Sequence, residues 1–208
     1  MDNNIVIIGC GGFGREVLDV INAINATTPT WTITGFADDA PNAENLALLA
    51  ARGANYLGTV DEVLPLAAQH FVIGIGTGSV RRRLDERFTG AGWTAATLVH
   101  PTATCGHGVD LGAGSILCAG ARLTTNIRIG RHTHVNLNST IGHDSTLGDY
   151  VTVNPLAAIS GWVHIGTETM IGTHAAVLQN INIGARAVIG AASLVTKPIT
   201  DDLVVKGI

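Results

Sequence analysis

The chain has 208 residues and a formal net charge of −4, with only 13% charged residues against 46% hydrophobic ones. A net negative charge argues against a basic surface that binds nucleic acid. No apolar run reaches the roughly 18 residues that span a bilayer, and the first residues lack the basic stretch of a signal peptide. The three cysteines are scattered, so they form neither a disulfide framework nor a paired metal motif, and we expect a cytoplasmic protein.

A glycine-rich loop opens the chain. Residues 5–8 are a short apolar run that predicts a buried strand, and residues 9–14 then read Gly-Cys-Gly-Gly-Phe-Gly, which fits G-x-G-x-x-G. A helical stretch follows from Arg15, so the backbone N–H groups of the loop would face a phosphate at the start of the helix. The alternative is a tight turn that requires glycine and binds nothing.

Strands and helices alternate through the rest of the first half. Residues 31–37 predict a second strand that ends in Asp38 and Asp39, and residues 70–75 predict a third. Helices are expected at 42–51 and 61–69, and the helix after Gly76 carries Arg81, Arg82 and Arg83, interpreted as a solvated face with phosphate contact as the alternative. This alternation predicts a small Rossmann-like βαβαβ unit with a parallel sheet. Its length favours a mononucleotide or nucleotide-sugar over NAD.

A six-residue repeat fills the second half. Every sixth residue from Leu111 to Val195 is Leu, Ile or Val, fifteen in succession without a shift of phase. Glycine follows eight of these anchors, and the position two before each anchor is small or β-branched. A period of six excludes an α-helix and a plain strand, whose periods are about 3.6 and 2 residues, and it suits one short strand plus one turn.

Both halves resemble one family, the bacterial sugar acetyltransferases of the sialic-acid O-acetyltransferase and UDP-amino-sugar N-acetyltransferase type. The resemblance is carried by residues 8–16, by Asp38-Asp39, by Ile75-Gly76 and by residues 141–144, Ile-Gly-His-Asp. It implies a nucleotide-sugar-binding Rossmann-like domain over 1–96 and a left-handed parallel β-helix over 97–208, an exception to the usual right-handed crossover. Three hexads, or 18 residues, would form one coil.

The resemblance also implies a function and its residues. It predicts transfer of an acetyl group from acetyl-CoA to the amino group of a nucleotide-activated amino sugar, in bacterial surface glycan biosynthesis, by a homotrimer with active sites at subunit interfaces and no metal. The expected substrate contacts are Gly11, Gly12 and Phe13 at the phosphates, Asp38 and Asp39 at the nucleoside, and Gly76 at the rim. The expected coenzyme contacts are Asn136, Thr152, Gly161, Thr173 and Ala191.

His143 and Asp144 are the predicted catalytic pair. His143 lies two residues past the anchor Ile141, so it should point outward at a turn, with Asp144 holding one imidazole nitrogen and leaving the other as general base. An 18-residue coil places Gly161 next to His143, where its N–H would bind the thioester oxygen. The alternative is that His143 is only a solvated surface residue, as an outward histidine on a polar turn usually is.

Three alternatives remain open at this point. O-acetylation of sialic acid or a related sugar would use the same base and coenzyme. A non-catalytic nucleotide-sugar-binding scaffold would use neither. A zinc hydratase is a third, because His132 and His134 form a His-x-His pair, although no two histidines have the five-residue spacing that we expect for such enzymes.

Overall fold

The computed structural model describes residues 3–67 and 69–206, and the chain divides into two compact units. One unit comprises Met1–Gly76 with Val80–Ala96, and the other comprises Thr77–Ser79 with Thr97–Ile208. Among the described residues, no helix is both long enough and apolar enough to cross a membrane.

The first unit is a parallel sheet with helices. Its strands are Asn4–Ile8 (β1), Thr32–Ala37 (β2), Tyr56–Gly58 (β3), His70–Ile73 (β4) and Thr94–Ala95 (β5), in the order β3-β2-β1-β4-β5. Its helices are Gly12–Thr27 (α1), Ala43–Ala50 (α2), Val60–Val63 (α3) and Gly78–Gly90 (α4). The Rossmann-like prediction is confirmed. Two short edge strands, β3 and β5, were not expected, because two or three residues are too few to show an apolar pattern.

Two glycines position the loop after β1. A side chain on Gly14 would strike the carbonyl oxygen of Gly9, and a Cβ on Gly74 would lie 2.5 Å from the Cα of Gly14. The start of α1 therefore packs backbone to backbone against the ends of β1 and β4, which only glycine permits. Gly9 also has a φ of +108°, in the region that favours glycine.

The second unit is a β-helix with three faces. Each face is a sheet of parallel two-residue strands. The first face holds Thr104–Cys105 (β7), Arg122–Leu123 (β10), Thr140–Ile141 (β13), Ala158–Ile159 (β16), Ala176–Val177 (β19) and Leu194–Val195 (β22). The second face holds Asp110–Leu111 (β8), Arg128–Ile129 (β11), Thr146–Leu147 (β14), His164–Ile165 (β17) and Asn182–Ile183 (β20). The third face holds Leu98–Val99 (β6), Ile116–Leu117 (β9), His134–Val135 (β12), Thr152–Val153 (β15), Met170–Ile171 (β18), Val188–Ile189 (β21) and Val204–Val205 (β23).

The repeat explains this architecture. Each strand pairs in parallel with the strand 18 residues later, as Thr140 does with Ala158, so three hexads make one coil and the predicted β-helix is confirmed. From Leu117 onward the anchors are buried and pack in one continuous core, with Leu111 packed against its edge. One residue of each hexad adopts a left-handed backbone conformation, among them Asn126, Asp144 and Trp162 at φ values of 55–60°.

Glycines in the repeat allow consecutive coils to pack closely against each other. The glycines that follow the anchors lack a left-handed φ, but a Cβ on Gly142 would lie 2.5 Å from the Gly161 nitrogen. The turns themselves use non-glycine residues at the left-handed positions from Asn126 onward. Stacking of consecutive coils, and not a left-handed turn conformation, is therefore the reason for glycine after these anchors.

Buried hydroxyl groups connect consecutive coils. The Thr169 hydroxyl is fully buried, donates to the Gly184 carbonyl at 2.7 Å and accepts from the Ala187 amide at 3.1 Å. One side chain therefore satisfies two backbone groups of the next coil, which explains a polar residue inside an apolar core.

Replacing this hydroxyl should destabilise the β-helix. Thr169→Val keeps the shape of the side chain, but the Ala187 amide and the Gly184 carbonyl each lose one hydrogen-bond partner. The free energy of unfolding should therefore fall by about 1–3 kcal/mol. For a chain of this size that lowers the melting temperature by about 2–4 °C per kcal/mol, measurable by calorimetry. Thr200→Val, at an exposed position of the second unit outside the first face, is the control. Equal melting temperatures for the two variants would contradict this role.

Candidate active site

His143 and Asp144 form a hydrogen-bonded pair at the corner between the first and second faces. The Nδ1 atom of His143 lies 2.7 Å from Oδ2 of Asp144. The His143 side chain is 55% exposed and the Asp144 side chain 25% exposed. Because Asp144 takes up Nδ1, the Nε2 atom of the imidazole is left to face a substrate. The pair has the arrangement of a general base and its orienting carboxylate.

Asn126 is a third member of this site, which the sequence reading did not identify. Its side-chain amide donates to Oδ1 of Asp144 at 3.1 Å. The hydrogen bonds from His143 and from Asn126 hold the pKa of the Asp144 carboxyl below its ordinary value. Asn126 precedes Asp144 by 18 residues, so stepping back by one coil from the predicted pair would have found it.

Gly161 lies against the imidazole ring. A Cβ on Gly161 would lie 2.6 Å from both Cε1 and Nε2 of His143, so only glycine leaves the ring in place. The carbonyl of His143 accepts from the amide of Trp162 at 2.9 Å, which fixes the stacking of these two coils. The Gly161 amide has no hydrogen-bond partner within the described part of the chain. This N–H is therefore available to a ligand.

The remaining predicted coenzyme residues lie elsewhere. Asn136, Thr173 and Ala191 occupy the corner between the third and first faces, and Thr173 and Ala191 are exposed there. Thr152 lies on the third face and is only 4% exposed. Within one chain, the first face separates these residues from His143. A single chain thus does not bring the predicted coenzyme contacts together with the base.

Gly11 and Gly12 border open space at the start of α1. No atom lies within 4 Å of a Cβ built on either residue, and α1 has no side-chain N-cap and no acidic residue in its first turn. This leaves a helix N-terminus suited to an anion. Phe13 lies in the same turn. Gly76 is exposed as well, although its carbonyl accepts from Arg81 at 2.7 Å.

Asp38 supports the glycine loop directly. Its Oδ2 accepts from the Cys10 amide at 2.7 Å and its Oδ1 accepts from the Ala40 amide at 3.0 Å. Burial, followed by the Asp38 carboxylate, raises the pKa of the Cys10 thiol to about 12, so the thiol stays protonated. Asp39 accepts from the Val60 amide at 2.8 Å. Both carboxylates thus have backbone partners in addition to any ligand.

A cavity of about 470 Å³ lies at the carboxyl ends of β1, β2 and β4. Its walls include Asp38 and Asp39 together with Arg83 and Arg87 of α4. Ligands of open parallel sheets bind at this edge. The interpretation of the three arginines as a solvated face is wrong for Arg81, which is fully buried and donates to the carbonyls of Ile75 and Gly76.

His132 and His134 are both fully buried, and the His132 ring stacks on Tyr150 with centroids 6.0 Å apart. Neither imidazole is exposed to solvent. Across residues 3–67 and 69–206, no group of three or more His, Cys, Asp or Glu side chains is arranged to hold a metal ion.

Known proteins share the fold described above. Residues 4–88 match the model of the PglD N-terminal domain. The acetyltransferase domain of PglB from Neisseria gonorrhoeae, solved with acetyl coenzyme A, is 26% identical and superposes with a TM-score of 0.87 over 98% of this chain and 96% of that one. The resemblance carried by the sequence motifs is confirmed.

Two further proteins are similar to this chain. PerB from Caulobacter crescentus, solved with CoA and GDP-perosamine, is 25% identical over 97% of this chain and 92% of that one, with a TM-score of 0.86. A putative acetyltransferase of Staphylococcus aureus is 52% identical over 40 residues, which are 19% of this chain and 20% of that relative. The match thus spans about a fifth of the curated relative's length.

The contact from Asn126 to Asp144 can be tested with a variant that keeps the backbone. Asn126→Gly suits the left-handed φ of 55°, and Gly108 holds the same position one coil earlier. Loss of one hydrogen bond to the carboxylate should lower kcat by roughly threefold to tenfold, measured by steady-state acetyl transfer. Asn138→Gly, with the same φ at another corner, is the control. An unchanged kcat for Asn126→Gly would show that Asp144 needs no support.

Proposed function

We propose that the protein is an acetyl-CoA-dependent N-acetyltransferase that acts on a nucleotide-linked amino sugar. The observation that carries this proposal is the His143–Asp144 pair at 2.7 Å, placed beside the free amide of Gly161. The acetyl-CoA of the PglB structure and the GDP-perosamine of the PerB structure support the donor and the acceptor. Acetyl-CoA is available in the cytoplasm, where we place the reaction and its contribution to surface glycan synthesis.

The chemistry follows from the orientation of the imidazole. With Nδ1 bonded to Asp144, Nε2 takes a proton from the acceptor amine as the amine nitrogen attacks the thioester carbonyl. A C–N bond forms, the C–S bond breaks, and the protonated imidazole returns its proton to the departing thiolate. The histidine is thereby restored, and Asp144 stabilises the transient imidazolium.

Attack on the thioester also places negative charge on the carbonyl oxygen. Gly161 packs against the imidazole and its N–H has no hydrogen-bond partner in the described part of the chain, so we infer that this N–H stabilises the oxyanion. The absence of a side chain at Gly161 lets the imidazole keep its place against the next coil. A scaffold that only bound a nucleotide-sugar would need neither feature.

A homotrimer would complete the coenzyme site. His143 and Gly161 lie at one edge of the first face, while Asn136, Thr173 and Ala191 lie at its other edge. Packing of first faces around a threefold axis would bring opposite edges of neighbouring chains together. The outward residues of that face include the exposed Leu194, 61% accessible, with Leu178 exposed at its edge. Exposed apolar side chains of this kind favour a protein interface.

Removal of the base should abolish most of the activity. His143→Ala should lower kcat by about 10²–10⁴ in a steady-state assay, while the dissociation constant for acetyl-CoA stays unchanged. Asp144→Asn should cost less, because the imidazole remains. His107→Ala, two coils earlier at the same corner, is the control and should be nearly neutral. Wild-type kcat in His143→Ala at saturating acceptor would overturn the mechanism.

The glycine loop should bind the acceptor and not the coenzyme. Gly12→Val meets no atom of the free protein, so it should fold while obstructing phosphate at the start of α1. A panel of UDP-, GDP-, dTDP- and CMP-linked amino sugars should include one that raises the melting temperature of the wild type but not of this variant. Gly90→Val, which also meets open space, is the control. A rise in the KM for acetyl-CoA alone would reverse the assignment of the two pockets.

A further inference from the structure

We propose that a pocket on the second face, beside Asp144, binds the sugar ring of the acceptor and that Trp162 is the platform for that ring. The inference rests on the proposed function and adds a subsite to it. The pocket has a volume of about 520 Å³, and its walls include Asp110, Asn126, Arg128, Asp144, Thr146 and Trp162. None of the outward side chains of the second face was predicted as a binding residue.

Two columns of residues form this pocket, and within each column consecutive residues are one coil, or 18 positions, apart. Asp110, Arg128 and Thr146 are outward residues of three neighbouring strands, with Arg128 paired in register with both others. Asn126, Asp144 and Trp162 follow one another along the corner at the same spacing. Trp162 therefore lies one coil beyond Asp144, and the Asp144 carboxylate that orients His143 forms part of the pocket wall.

The side chains of the pocket are available to a ligand. The Trp162 side chain is 52% exposed, which is unusual for so large an aromatic residue. Asp110 and Arg128 lie opposite each other on adjacent strands and are both exposed. Neither side chain makes a hydrogen bond or ion pair with any residue in the described ranges 3–67 and 69–206. Two opposite charges that do not pair with each other remain free for hydroxyl groups.

This combination fits a hexose better than a phosphate. A pyranose ring presents an apolar C–H face to a flat aromatic ring and hydroxyls at its edge, which need both donors and acceptors. Trp162 supplies the flat apolar surface, Arg128 donates, Asp110 accepts, and Thr146 does either. Two carboxylates against one guanidinium give the pocket a net negative charge. That charge repels a diphosphate and attracts the ammonium group of an amino sugar.

A second copy of the chain is a poorer occupant of this surface. The outward residues of the second face are Asp110, Arg128, Thr146, His164 and Asn182. Charged side chains of this kind are depleted from the cores of protein interfaces. The outward residues of the first face become apolar along the chain, where Ala158, Ala176 and Leu194 follow Thr140, so this part of the face suits an interface better than the second face does. The acceptor therefore reaches His143 from the side of the second face.

The test separates the sugar from the nucleotide. Trp162→Ala should raise the KM for the best acceptor among the UDP-, GDP-, dTDP- and CMP-linked amino sugars by roughly tenfold or more. This is the effect expected from the loss of one aromatic platform. The KM for acetyl-CoA should not change, and neither should the dissociation constant for the free nucleoside diphosphate or monophosphate. Trp162→Tyr keeps a flat ring and should retain most of the affinity. His164→Ala, on the next strand of the same face, is the control.

Two results would overturn the inference while the proposed function stands. One is wild-type acceptor KM in Trp162→Ala. The other is an equal loss of affinity for the free nucleotide, which would place the nucleotide and not the sugar on Trp162. Dissociation of the oligomer in Trp162→Ala, measured by sedimentation, would assign Trp162 to an interface instead. Failure of the wild-type protein to acetylate any sugar of the panel would overturn the proposed function itself.

Discussion

The parallel hydrogen-bond ladder between coils is the constraint on which the active site depends. Each coil bonds to the next with a fixed register, as the Gly142 amide does to the Ile159 carbonyl at 2.8 Å. A residue is consequently held against the residues 18 positions before and after it. Asn126, Asp144 and Trp162 form one such column, and His143 and Gly161 belong to the adjacent one. Rigid regular elements hold catalytic groups more accurately than loops do.

This constraint explains how much of the β-helix the sequence could predict. A period of six with three hexads per coil determines which side chains are inward, which are outward and which stack. The outward position of His143, its contact with Asp144 and the place of Gly161 above it all follow from that arithmetic. The contact of Asn126 with Asp144 follows from the same 18-residue spacing, although Asn126 lies outside the Ile-Gly-His-Asp motif. The left-handed sense came from the resemblance and not from the period.

The first unit was less predictable, because its contacts have no period. Asp38 was expected to meet a nucleoside, yet its two oxygens accept from backbone amides of Cys10 and Ala40. Arg81 looked like part of a solvated basic face, yet it is buried and satisfies two carbonyls at the end of β4. Both roles depend on where loops meet in space. A charged residue of a short α/β unit can therefore support the pocket as well as line it.

The two edges of the first face connect the proposed oligomer with the proposed catalysis. If first faces pack against one another in the homotrimer that we propose, the edge with His143 comes next to the edge with Asn136 and Thr173 of a neighbouring chain. The proposed coenzyme contacts come from both edges, so the coenzyme would lie along that contact. The second face would then stay open to the acceptor. In this proposed arrangement the two substrates reach the His143 corner from opposite sides, as attack of the amine on the thioester requires.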